Sequence, residues 1–158
     1  GNTEYGYLNT SSAFSLLTTA WSSTTPTSSV FTVGSSAVVN GDGHNYVAML
    51  FGTVDGISKV GSYAGDGTNG RVIDCGFSNG AQFILIKCVS HSGSWDWYDT
   101  QRGILAADDA RLRTPSTSAQ YTSADYVDPS SSGFIVNNTN GDLNDSGRSY
   151  IFYAIAAE

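Results

Sequence analysis

Two stretches of this chain, about a hundred residues apart, carry the same text. Residues 28–51 read SSVFTVGSSAVVNGDGHNYVAMLF, and residues 131–155 read SSGFIVNNTNGDLNDSGRSYIFYAI. Phe31 and Val33 stand 103 residues before Phe134 and Val136. After one inserted residue, Asn40, Gly43, Tyr46 and Val47 match Asn144, Gly147, Tyr150 and Ile151. Pro26 with Pro129, and LNT at 8–10 with LRT at 112–114, extend the match upstream. An ordered series with a single gap is an internal repeat. Its period exceeds those of solenoids, so each unit is a domain rather than a layer.

At this period the chain holds one complete repeat unit, residues 57–158, preceded by the second half of another, residues 1–56. Half a sandwich exposes strand edges and apolar faces. Three accounts are open. The other half has been cut away, the half-unit packs on its neighbour, or another subunit supplies the missing strands and so builds oligomers or filaments. The chain opens Gly-Asn-Thr and its one Met is Met49, which reads as a processed product, a tagged product or a piece of something longer.

Strand signals dominate the text. Val30–Val33, Tyr46–Phe51, Ser58–Tyr63, Arg71–Phe77, Gln82–Val89, Ser94–Tyr98, Phe134–Asn137 and Tyr150–Ala154 are short, aromatic or β-branched, and bounded by Gly, Asn, Asp or Ser. Helix signals are confined to Ser11–Thr19 and Ala106–Leu112. Short strands with turn signals at this spacing predict an all-β, antiparallel sandwich-like unit.

Charge narrows the function. The formal net charge is −7 with only seven Lys and Arg, and charged residues are 13% of the chain, about half the usual share. No basic face is available for phosphate, which argues against nucleic acid and against anionic lipid. No apolar run is long enough to span a membrane as a helix. Hydroxyl and amide side chains supply the polar surface instead, as in extracellular or virion β-proteins.

Candidate chemistry is sparse. His44 and His91 lack a nucleophile context, and His44 is replaced by Arg148 in the second copy. Ser90-His91-Ser92-Gly93 reads as a hairpin turn. Asp42, Asn138, Asn140, Asp142 and Asp145 miss the spacing of a calcium loop and suit turns equally well. Gly65–Gly70 reads as a loop between strands, not a phosphate cradle, because no helix follows it. No cofactor and no metal are expected. Cys75 and Cys88 fit no metal spacing. On a hairpin turning at Ser78–Ala81, Cys75 would face Ile84 or Leu85, so both cysteines are expected as free thiols acting as small apolar residues.

The stretch SWDWYD, residues 94–99, is the strongest candidate for a contact site. Aromatic rings beside carboxylates suit a sugar surface, with Asp96, Tyr98 and Asp99 touching glycan or receptor. The competing reading follows strand alternation: Trp95 and Trp97 fill the core and Asp96 with Tyr98 occupy the other face. Asp99 then pairs with Arg102. A glycan-cleaving pair drawn from Asp96 and Asp99, or from Asp108 and Asp109, is disfavoured because adjacent acids on a strand point to opposite faces.

The segments PTSSVFTVGS, NYVAMLF, ISKVGSYAGDGTNG, IDCGF, FILIK, WYDTQRGI, SGFIVN and YIFYAIA resemble a repeated β-rich domain of phage tail-fibre-like proteins. The resemblance covers nearly the whole chain. It departs where such domains often carry Arg after the FILIK-like segment and this chain has Cys88. The resemblance implies a virion-associated, extracellular module arranged in tandem in host-facing appendages, with no catalytic residues to carry over. The expectation is a non-enzymatic structural or adhesive fibre module. It would assemble as a homo-oligomer, trimer or filament, by strand pairing and apolar burial between copies. The alternative is a carbohydrate-binding receptor tip on a host surface glycan; a self-assembling filament subunit or a capsid-decorating protein ranks below both.

Overall fold

In the computed structural model, which describes residues 2–158, the chain forms two compact units. The first comprises the chain up to Tyr7 together with Phe14–Leu50, and the second comprises Leu8–Ala13 with Phe51–Glu158. Strand outweighs helix, 32% to 5% of residues, and every strand pair is antiparallel. The fold is all-β.

The first unit has little regular structure. A two-residue ladder joins β1 (Glu4–Tyr5) to β2 (Ser15–Leu16). Two single helical turns follow, α1 (Thr18–Trp21) and α2 (Ala37–Asn40). Ala20 is its one fully buried apolar side chain among the described residues.

The second unit holds the sheets. Its strands are β3 (Ser58–Ala64), β4 (Arg71–Asp74), β5 (Ala81–Cys88), β6 (Trp95–Asp99), β7 (Leu112–Thr114), β8 (Val127–Ser130), β9 (Gly133–Val136) and β10 (Ser149–Ala156). A five-stranded sheet runs β3-β10-β5-β6-β7, and a three-stranded sheet runs β4-β9-β8. The chain's last strand thus sits in the middle of the larger sheet. It pairs Tyr150 with Tyr63 on one side and with Cys88 on the other. Alternation does the rest: Tyr150, Phe152 and Ala154 turn inward with Ile84, Ile86 and Tyr98, and meet Ile73, Val127, Phe134 and Val136 of the smaller sheet. Gly133 permits the close approach of β9 to β4, since a Cβ there would lie 2.2 Å from the carbonyl oxygen of Ile73.

Six of the expected strands form, and two do not. Val30–Val33 and Tyr46–Phe51 are irregular, although their counterparts β9 and β10 bury Phe134, Val136, Tyr150, Phe152 and Ala154 in the core of the second unit. Neither segment has a flanking strand to complete its backbone hydrogen bonds, and propensity alone does not make a sheet. The expected helices fail as well. Ser11–Thr19 contributes strand β2 and only the start of α1, and Ala106–Leu112 leads irregularly into β7. The expected hairpin between β4 and β5 is also absent, because the Ser78–Ala81 turn carries the chain from one sheet to the other. Cys75 and Cys88 are nonetheless free and buried, as expected, and burial pushes the Cys75 thiol up to about 11.

Candidate functional site

Strand β6 presents its faces the opposite way from the sequence-based core reading. Asp96 and Tyr98 are fully buried, while Trp95, Trp97 and Asp99 are half-buried. The larger rings lie on the outer face, where Phe83 meets Trp97 edge-on at 5.8 Å and Tyr153 at 6.3 Å. The proposed glycan contact through Asp96 and Tyr98 is therefore corrected: neither side chain reaches solvent. Asp99 forms an ion pair with Arg102 and accepts a hydrogen bond from its backbone N–H, as the sequence reading expected.

Asp96 is held inside by arginines. Arg111 and Arg113 are two residues apart, so both approach it from one face of the chain next to β6. Arg113 Nε donates to Asp96 Oδ1 at 3.2 Å, and Arg113 Nη2 donates to Asp142 Oδ2 at 2.7 Å. Arg111 Nη1 stands 3.5 Å from Asp96 Oδ2, and its guanidinium stacks 3.9 Å from the Tyr126 ring centroid. Burial raises the Asp96 carboxyl to about 6; Arg111 opposes that rise, the Asp142 charge adds to it, and Arg113 opposes it. Buried Lys87 lies on the other face and donates from Nζ to the carbonyls of Gly93 at 2.6 Å and Ser11 at 3.4 Å. This ionic cluster was not recognised in the sequence; the alternating Arg111-Leu112-Arg113 was its one visible signal. It ties β6, the β7 segment and the loop at Asp142 together, with Asp96 and Arg111 buried and Arg113 and Asp142 partly exposed at its rim.

The other candidates are also occupied by structural roles. Asn138 and Asn140 side chains cap successive turns, Asp142 accepts from Ser94 N and Arg113, and Asp145 pairs with Arg148. Among the described residues no three His, Cys, Asp or Glu side chains converge as a metal-binding set. Asp109 has both carboxylate oxygens engaged by backbone N–H groups of Leu105, Tyr126 and Val127. His91 lies in the β5–β6 hairpin turn, with Nδ1 at 3.0 Å from Ser90 Oγ. In the Gly65–Gly70 loop, Asp66 pairs with Arg71 and caps Thr68.

The repeat residues build the same turn twice. In the second unit Asn140 Oδ1 accepts from Asp142 N at 2.9 Å, and its carbonyl accepts from Leu143 N and Asn144 N at 3.1 Å each. Tyr150 closes the turn: its hydroxyl accepts from Asp145 N at 2.9 Å and donates to Gly141 O at 3.1 Å. In the first unit Ser36 replaces Asn140. Its Oγ accepts from Val38 N at 3.4 Å, and its carbonyl accepts from Val39 N at 3.1 Å and Asn40 N at 2.9 Å. Tyr46 closes it likewise, accepting from Gly41 N at 2.8 Å and donating to Ala37 O at 2.7 Å. Gly43 and Gly147 occupy the same position in the two turns with φ of +71° and +80°, a conformation open to glycine at little cost.

What surrounds the two turns differs. Asn144 is buried and grips the Gly65–Gly70 loop. Its Nδ2 donates to Asp66 Oδ1 at 2.8 Å and Thr68 O at 2.7 Å, and its Oδ1 accepts from Asp66 N at 3.1 Å. Asn40 reaches only Gly34 O, at 3.1 Å. Tyr150 stacks on Tyr63 with centroids 5.0 Å apart and is wholly buried, whereas Tyr46 is 48% exposed. Val47, Met49 and Leu50 are 93%, 73% and 75% exposed. Beside them lies an open apolar groove of about 600 Å³, lined by Phe31, Val33, Val38, Tyr46, Met49 and Leu50 among others. Isolated apolar residues on a surface are ordinary, but a contiguous strip marks an interaction surface.

Compared with known families, residues 1–158 match one described as a domain of unknown function (DUF7483). No curated protein and no solved structure matches the chain.

Proposed function

We propose a role for a chain that belongs, over its whole length, to the DUF7483 family: it is a non-enzymatic structural module of an extracellular or virion fibre. It assembles by strand pairing and apolar burial between copies of its repeat. One observation carries this reading. Tyr46–Leu50 of the first unit is exposed where its counterpart Tyr150–Ala154 is the buried centre of a sheet. A β-prone segment with exposed apolar side chains and no strand partner of its own is a template for pairing with other chains.

Further support comes from the side chains that chemistry would need. Of the acids considered for glycan cleavage, Asp96 is buried against arginine, Asp99 is paired with Arg102 and Asp109 is saturated by backbone donors, which leaves only exposed Asp108. The low share of charged residues and the resemblance to tail-fibre-like repeats fit a fibre module. The glycan-tip alternative loses Asp96 and Tyr98 to the core and keeps only Asp99. Among the described residues no helix is long and apolar enough to cross a membrane.

The test is the state of association. Light scattering after size exclusion should give masses above the 16.6 kDa of one chain, rising with concentration, and electron microscopy should show elongated assemblies. Leu50→Asp should lower that association. A single-chain mass at every concentration, with no assemblies on the grid, overturns the proposal.

A further inference from the structure

We infer that Tyr46–Leu50 is the central strand of a second sandwich, and that the N-terminal half of another repeat in tandem on the same polypeptide covers it. That half brings two strands in the register that β3 and β5 hold on β10. This inference rests on the fibre-module reading and names the partner of its exposed strip.

The second unit itself shows what covers such a strand. Seven residues of β10, Ser149 to Ile155, pair with β3, and β5 pairs along the other side from Tyr150 onward. In the first unit the turn that leads into this strand is already made, down to the tyrosine hydroxyl that closes it. Three features of the finished site are missing around it. Tyr46 lacks the ring that Tyr63 lays against Tyr150. Asn40 lacks the Gly-Asp-Gly-Thr loop that Asn144 holds through Asp66 and Thr68. Val47–Leu50 lacks both flanking strands.

One folded unit cannot supply these parts to another. Its β3 and β5 are hydrogen-bonded to its own β10, so lending them would strip one strand to cover the other, with no net gain in pairs. The occupant must be a repeat half whose strands are still unpaired, and a tandem array presents one ahead of each Tyr46-like strand. The side chains fit such a neighbour. Where β10 places Phe152 and Ala154 inward, the first copy places Ala48 and Leu50, a large–small pair exchanged for small–large. Cores tolerate such swaps when total volume is roughly kept. Because the first unit's Gly1 aligns with Leu105, a copy of residues 51–104 joined ahead of Gly1 restores the repeat without a gap.

The experiment compares the 158-residue chain with this tandem chain, and with one whose added segment is scrambled, by amide hydrogen exchange. In the tandem chain the Tyr46–Leu50 amides should slow by on the order of 100-fold or more, toward the protection of β10. In the other two chains, at concentrations where each is a single chain, they should stay fast. Leu50→Asp in the tandem chain should abolish the added protection. Protection of β10 measured in the same samples shows that each chain has folded. Fast Tyr46–Leu50 exchange in a tandem chain with a protected β10 overturns the inference, even if the protein forms fibres through another surface. Slowing that the scrambled segment reproduces overturns it too. Slowing confined to the true tandem chain supports it even where the 158-residue chain proves monomeric, an outcome that would remove only the association reading.

Discussion

Asp96 shows how much a single buried carboxylate can shape stability. Its ordinary pKa is 3.8 and in the fold it is pushed up to about 6, mainly by burial. The folded protein therefore binds this proton more tightly than the unfolded chain does. Stability from this group is greatest below about pH 4 and falls as pH climbs toward 6, where the ionised form carries its full desolvation cost. A shift of this size corresponds to about 3 kcal/mol, at roughly 1.4 kcal/mol per pH unit. Burial also raises Asp109 and Asp128, in the same direction. Urea unfolding of Asp96→Asn at pH 4 and pH 6 should show a smaller loss of stability over that interval than the parent, by about 2–3 kcal/mol. An unchanged slope would place the titration elsewhere.

Elements show where the sequence spoke clearly. β3, β5, β9 and β10 were legible because β-branched and aromatic residues recur between clear turn residues. β7 (LRT) and β8 (VDPS) were not, since each is short and polar; Pro129 sits on an edge strand, where a missing N–H is harmless. The faces of β6 were misjudged because ring size was weighed above partners. Tyr98 went inward and carried Asp96 with it, and only the arginines at 111 and 113 make that burial tolerable. The matched segments around Phe134 and Phe31 convert this into a measurement. Phe134 is wholly buried and contacts Phe152 edge-on at 5.4 Å, so Phe134→Ala should cost about 3–5 kcal/mol. Phe31 is 40% exposed and in no strand, so Phe31→Ala should cost no more than about 1 kcal/mol. Chemical denaturation separates these values readily, and equal losses would show that Phe31 is buried in solution.

At the scale of the whole molecule, the sequence displayed a period but not the consequence of its interruption. Repeat text predicts equal strands, whereas a central strand such as β10 needs neighbours on both sides to bury its residues and satisfy its backbone. The two units should therefore differ in resistance to denaturant. The three tryptophans are well placed to report this: Trp21 lies in the first unit, and Trp95 and Trp97 in the second. Parent fluorescence should change in two steps with urea. Trp21→Phe should remove the step at lower urea and keep the later one, and a single step in both proteins would show that the units unfold together.

The closed turn has a consequence in time. Its hydrogen bonds span at most nine residues, from Ala37 to Tyr46. Loops of that length close in roughly 10–100 ns, whereas strands from opposite ends of a unit meet far more slowly. The turn before β10, like its counterpart before Tyr46, can thus close before the flanks of β10 pair. Later pairing is then a matter of zipping outward from a set point, not of searching for a register.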